Sequence, residues 1–181
     1  MKNPEEPISD KTLHQGRSID FVLRESELAD GTRVPREIVR NHGAVAIVAL
    51  TEKEEVRLVK QFRSAAHKWV IELPAGGLGP GENPDTAAPR ELLEETGDTA
   101  ANWHKLHGFY TAPGLFTEFI HLYLATNLTP GPNNLEFDEH IEVMTVPWPE
   151  AMRMVRRHEI EDVKTIAGLM LAGLHLGLVA T

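Results

Sequence analysis

Gly76-Gly77-Leu78-Gly79-Pro80-Gly81-Glu82, followed after seven residues by Arg90-Glu91-Leu92-Leu93-Glu94-Glu95-Thr96-Gly97, is the stretch on which the reading of this chain turns. Glu91, Glu94 and Glu95 stand at i, i+3 and i+4, which share one face of a helix. Like charges at that spacing repel, and Arg90 alone does not neutralise three anions. Oxygen donors at this density suit a hard ion, Mg²⁺ or Mn²⁺. The glycine-rich loop ahead of the helix lets backbone come close to a ligand. A divalent ion beside such a loop points to phosphate chemistry. The competing reading is a solvated acidic face with Arg90 paired to Glu94, and the glycine spacing argues against it. Pro89 precedes Arg90 and is tolerated only in a first helical turn. A helix is therefore predicted from about Asp85 to Thr96, stopped by Gly97.

The 181 residues suit one domain, and 41% hydrophobic content fills a core. A net charge of −9 argues against nucleic-acid and acidic-membrane partners. It permits an anionic substrate where metal ions supply the local positive charge. Without cysteine there is no disulfide and no zinc–thiolate site, which fits a reducing cytoplasm. No basic flank with an apolar run marks a signal peptide. No apolar run reaches the ~18 residues needed to span a bilayer.

Met1 to Gln15 is polar and read as loose. Ile19–Leu23 and Pro35–Arg40 read as strands joined by an Asp30-Gly31 turn. Gly43–Leu50 is a continuous apolar run, a strand buried on both faces. Val56–Phe62 and Trp69–Leu73 are further strands, with Trp69 read as core packing. After the carboxylate helix, Lys105–Tyr110, Phe119–Ala125 and Ile141–Val146 read as strands. A Pro-Gly loop lies at Thr111–Leu115 and a polar loop at Leu128–Phe137. Two helices close the chain, Pro149–His158 and about Asp162–Leu176. This order implies an α/β domain of the mixed α+β type, with the carboxylate helix against a sheet. His42, His67, His104 and His121 have no partner spacing and are read as non-ligands.

Gly76, Glu82 and Arg90-Glu91-Leu92-x-Glu94-Glu95-x-Gly97 together resemble the Nudix box. Asp98 departs from the pattern, which carries an apolar residue there. Several segments resemble the ADP-ribose pyrophosphatase branch: Trp69–Gly76, Val59–Arg63, Thr111–Gly114 with Glu118, Asp138–Val143, and Pro113 sixteen residues after Gly97. The likeness implies a mixed sheet sandwiched by helices. Residues 1–40 would form an N-terminal antiparallel hairpin that makes a homodimer, ahead of a hydrolase domain at 41–181.

The same resemblance implies Mg²⁺, with Mn²⁺ as a substitute, held by Glu91, Glu94, Glu95 and the Ala75 carbonyl. Arg90 would orient the carboxylates. Glu139 is the candidate general base, on a loop that also carries Glu136, Asp138 and Glu142. Arg36, Glu37, Arg63, Gly76, Glu82, Gly114 and Glu118 are the substrate-side candidates. Arg63 and Arg36 suit a diphosphate or an adenine ring, and a surface ion pair is the plainer reading of each. The implied reaction is hydrolysis of a nucleoside diphosphate compound, ADP-ribose to AMP and ribose 5-phosphate. GDP-mannose is the alternative substrate. A non-catalytic ligand sensor would need a DNA-binding module for which the chain has no spare length.

Overall fold

The computed structural model describes residues 3–133 and 140–179. The chain divides into two compact units, Met1–Gly43 with Tyr110–Phe119, and Ala44–Phe109 with Ile120–Thr181.

The first unit is an antiparallel sheet of β1 (Glu5–Gln15), β2 (Asp20–Leu28) and β3 (Arg33–Arg40), in that spatial order. The β2–β3 hairpin turns at Gly31, whose φ of 85° is a conformation glycine adopts without strain. β1 corrects the expectation of a loose N-terminus. It is exposed along almost its whole length, so no buried alternation announces it. It is held instead by its ladder to β2 and by a bidentate Arg24–Asp10 pair at 2.7 and 2.9 Å. The Pro-Gly loop docks on β3. Val39 N–H donates to the Leu115 carbonyl at 2.9 Å, and Thr117 N–H to the Val39 carbonyl at 3.0 Å.

The second unit runs β4 (Ala44–Ala49), β5 (Glu55–Arg63), β6 (Lys68–Glu72), β7 (Ala75–Gly77), α1 (Pro84–Thr96), β8 (Thr99–Lys105), the short β9 (Phe109–Tyr110), β10 (Phe119–Thr129), β11 (Ile141–Pro147), α2 (Trp148–Arg156) and α3 (Val163–Leu176). A mixed sheet has the order β7-β4-β10-β8, with β4 and β10 parallel. A second, antiparallel sheet has the order β11-β5-β6. β8 ends at Lys105, where the predicted strand Lys105–Tyr110 was to begin.

The apolar run of β4 is buried on both faces for a visible reason. Val45, Ile47 and Ala49 pack with Ala87, Ala88 and Leu92 of α1. Ala46 and Val48 point the other way, into a core with Leu58, Leu73, Leu122, Leu124, Met154 and Leu169. The sheet is thus sandwiched between α1 and the α2–α3 layer. Burial of each large aliphatic side chain contributes roughly 1.5–3 kcal/mol. Gly168 lets α3 approach closely, since a Cβ there would stand 2.5 Å from Leu73 Cδ1. No described helix is long and apolar enough to cross a membrane.

Two expectations need correction. Pro89 lies in the second turn of α1, not the first, because the helix already starts at Pro84 behind the N-cap Asn83. Asn83 Oδ1 accepts the Asp85 N–H at 2.9 Å. Trp69 is not in the core. It is 43% exposed, edge-on to Phe62 at 5.9 Å and beneath Lys60 Nζ at 5.4 Å. Phe62 and Trp69 are cross-strand neighbours, and their face of β5–β6 is left uncovered at that end.

Candidate active site

The glycine loop and α1 meet at two contacts. Glu91 lies flat on Gly76, where an added Cβ would stand 2.0 Å from its Cδ and 2.1 Å from Oε1. Only glycine leaves that space. One turn further on, Glu95 is 3% exposed, and its Oε2 accepts the Ala75 N–H at 3.0 Å. β7, paired with the buried β4, thereby fixes two of the three box carboxylates against its own backbone.

Arg90 gathers the remaining charge. Its Nη1 lies 2.8 Å from Glu91 Oε1 and 2.8 Å from Glu94 Oε2. Its Nη2 lies 2.9 Å from Glu82 Oε1. Partial burial by itself would lower the pKa of Arg90. The bond to Glu82 and the charges of Glu91 and Glu94 outweigh it and raise the value. Arg90 is therefore a fixed cation inside an acidic cluster. Glu82 Oε2 accepts the Gly79 N–H at 2.9 Å, pinning the loop. That backbone bond, then the bond from Arg90, holds Glu82 below the usual carboxylate range.

The helix end is equally ordered. Gly97 has φ 76° and donates its N–H to the Leu93 carbonyl at 2.9 Å. A Cβ on Gly97 would stand 2.1 Å from the Gly131 carbonyl oxygen, so the chain after β10 passes directly over this cap. Asp98, the departure from the box pattern, is buried against Arg57 of β5, with Nε 2.6 Å from Oδ2.

Arg63 does not stand free for a ligand. It makes two bonds to Glu72, at 2.7 and 2.6 Å. Glu72 is buried and also meets Lys164 of α3, which in turn lies 3.0 Å from Asp162. Burial would raise the pKa of Glu72, but the Arg63 bond and the Lys164 charge overcome it and lower the value. The bond to Glu72 raises the pKa of Arg63. Neither Asp98–Arg57 nor Glu72–Lys164 was foreseen from the sequence. The anomalous Asp98 was the one available signal.

In the first unit a cavity of about 510 Å³ is lined by Arg24, Arg36, Glu37, Tyr110, Gly114 and Phe116, among others. Arg36 is paired with Glu5 at 2.9 Å. Glu118 accepts from Asn41 Nδ2 at 2.9 Å and from Thr111 Oγ1 at 3.0 Å, so it braces the Pro-Gly loop. Glu139, Glu136 and Asp138 lie outside the described residues. Glu142 is an exposed residue of β11, 3.7 Å from Lys60.

Among the described residues no three acidic or histidine side chains converge on one point. Glu94 turns to Arg90, and Glu95 to the Ala75 amide. The donor chemistry nonetheless fits a hard divalent ion: three carboxylates share one face of α1, and two of them, Glu91 and Glu95, lie against strand backbone at Gly76 and Ala75.

The NUDIX domain model matches residues 40–169. The chain is 40% identical to an ADP-ribose pyrophosphatase of Bacillus subtilis over 91% of both chains. It is 36% identical to a GDP-mannose pyrophosphatase of Cronobacter sakazakii, over 89% of this chain and 91% of that one. A solved structure, "Crystal structure of ADP compounds hydrolase", superposes with a TM-score of 0.85 at 21% identity, covering 97% of this chain and 95% of the other. The glycine-braced carboxylate helix on its mixed sheet and these likenesses agree: the chain belongs to the Nudix family.

Proposed function

We propose that this chain is a pyrophosphohydrolase that cleaves ADP-ribose to AMP and ribose 5-phosphate with Mg²⁺, Mn²⁺ serving as a substitute. The observation that carries the chemistry is the pair of contacts Glu91–Gly76 and Glu95–Ala75, which hold box carboxylates against strand backbone. The choice of ADP-ribose rests on the relative named ADP-ribose pyrophosphatase at 40% identity. GDP-mannose is the second reading, favoured by the relative of that name.

Glu91, Glu94, Glu95 and the Ala75 carbonyl would hold the ion. When bound, it neutralises the pyrophosphate and activates water. Arg90 orients Glu91 and Glu94, and Glu82 orients Arg90 and the glycine loop. Arg36, Glu37 and Gly114 suit the nucleoside or ribose end of the substrate, because they line a cavity with a cation and a bare backbone. Arg63, held in place by Glu72 through Nε and Nη2, is the proposed diphosphate contact. Glu139 is the proposed general base.

The protein works as a homodimer on this reading, with residues 1–40 contributing the interface and 41–181 the hydrolase domain. The exposed apolar side chains Ile8, Leu13 and Ile19 support it. A cytoplasmic location fits the absence of cysteine. A panel of nucleoside diphosphate compounds assayed with Mg²⁺ tests the function, and ADP-ribose should give the highest kcat/KM. Preference for GDP-mannose selects the second reading. A monomer in sedimentation refutes the dimer.

A further inference from the structure

The chain crosses from one sheet to the other at Leu73-Pro74. Glu72 is the last residue of β6 and pairs with Val59 in the antiparallel sheet. Ala75 is the first residue of β7 and pairs with Ala46 in the mixed sheet. Neither ladder covers the two residues between them, and Leu73 is fully buried. A buried amide without an acceptor is costly, so the crossing needs a partner from elsewhere. Pro74 removes one of the two amides, since proline has no N–H, and its carbonyl accepts the Ile47 N–H at 2.9 Å. The other amide, that of Leu73, donates to Thr165 Oγ1 of α3 at 2.8 Å.

Thr165 is itself fully buried and held from two sides. Its hydroxyl donates to Asp162 Oδ2 at 2.6 Å, and its amide donates to the same oxygen at 2.9 Å. Asp162 is the N-cap of α3. Gly168 stands at i+3 on the same face, and its bare backbone leaves room for the Leu73 side chain. Lys164 bonds to Glu72 and lies 3.0 Å from Asp162. The first turn of α3 thus grips Glu72 and Leu73 together. Only Pro74, with its φ fixed, separates Leu73 from Ala75. Ala75 donates its amide to Glu95 at 3.0 Å, and Gly76 seats Glu91.

We propose that Thr165 is a positioning residue for the ion site. By holding the Leu73 amide it sets where the Ala75–Gly76 backbone stands, and with it Glu95 and Glu91. This rests on the reading of a hydrolase with a divalent ion, and Thr165 itself touches neither ion nor substrate.

The test compares wild type with Thr165→Val, which keeps the branched shape without the hydroxyl, and Thr165→Ser, which keeps the hydroxyl. Each is measured for Mn²⁺ affinity by electron paramagnetic resonance without substrate, and for kcat on the preferred panel substrate. Amide hydrogen exchange of the metal-free protein is followed by nuclear magnetic resonance. Thr165→Val should weaken Mn²⁺ binding roughly 10- to 100-fold, the effect of removing a group that orients metal ligands, and kcat should fall with it. The Ala75 amide should exchange at least about tenfold faster, while the buried amides of β4 change less, because the loosening is local. Thr165→Ser should return all three to within about threefold of wild type.

Wild-type Mn²⁺ affinity and Ala75 exchange in Thr165→Val overturn the proposal and leave the hydroxyl a purely structural tie. Failure of Thr165→Ser to restore them overturns it as well. If Thr165→Val does not fold, Thr165→Ala against Thr165→Ser decides by the same readings. A wild type that binds no Mn²⁺ overturns the metal reading and this proposal with it. A wild type that binds Mn²⁺ and turns over nothing in the panel overturns the hydrolase reading alone.

Discussion

Gly76→Ala separates the fold from the chemistry more sharply than any other single change. A methyl at this position would stand 2.0 Å from Glu91 Cδ, 2.1 Å from Oε1 and 2.3 Å from Oε2. Ordinary contact needs about 3.5 Å, so the carboxylate must retreat by roughly 1.5 Å. The atoms in the way are the far end of a flexible side chain, not backbone. Gly76 has no positive φ, so the alanine backbone itself is unstrained. The fold therefore adapts at a cost of at most about 1–3 kcal/mol. The function does not adapt. Glu91 is already drawn to Arg90 at 2.8 Å, and displacement releases it from the strand to that cation or to solvent. Misplacing a catalytic ligand by about 1 Å costs about 10²-fold in rate. A kcat loss of ~10²–10³ is expected, a barrier increase of about 3–4 kcal/mol. The assay is AMP release from ADP-ribose under saturating Mg²⁺, with melting followed in parallel. Melting should fall by less than ~10 °C. A variant within tenfold of wild-type kcat would show that Glu91 does not need its seat on Gly76, and an unfolded variant would show that the space is structural.

Glu95→Gln keeps an acceptor for the Ala75 amide but removes a charge, so folding should persist while kcat falls at least ~10³-fold; EDTA should abolish wild-type turnover and Mg²⁺ restore it. Full activity in chelator contradicts the metal reading. Glu139→Gln should lower kcat by roughly 10²–10⁴ with KM nearly unchanged, and higher pH should partly rescue it; a near-wild-type Glu139→Gln beside an inactive Glu136→Gln or Glu142→Gln names a different base. Glu72 titrates below its ordinary value of 4.5 in the folded state, so its stabilising contribution is full above that pH and is lost as pH falls through the lowered value. Glu72→Gln should therefore melt well below wild type at pH 7, by about 3–5 kcal/mol of stability, and the gap should narrow under acid conditions; a gap constant with pH refutes the assignment.

The local geometry of the glycine loop and carboxylate helix was legible in the sequence because it is written in short spacings. The i, i+3, i+4 carboxylates, the glycines before them and Gly97 after them depend only on helical period and backbone freedom, which neighbours in sequence determine. The doubly buried β4 was legible for the same reason, as an uninterrupted apolar run. β1 was not, because an exposed strand held by its ladder carries no hydrophobic period. Trp69 was misread because an aromatic in a strand does not say whether its face will be covered. The Arg90–Glu94 pair follows from its i, i+4 spacing, but the long-range partners of charged side chains belong to tertiary structure. Arg57 with Asp98, 41 residues apart, and Lys164 with Glu72, 92 apart, meet only once sheets and helices have packed. Sequence determined which residues hold like charge in one place. The packing of β5, α1, β11 and α3 decided which cations restrain the carboxylates, because burial makes an unpaired charge costly and long-range contacts leave no local pattern.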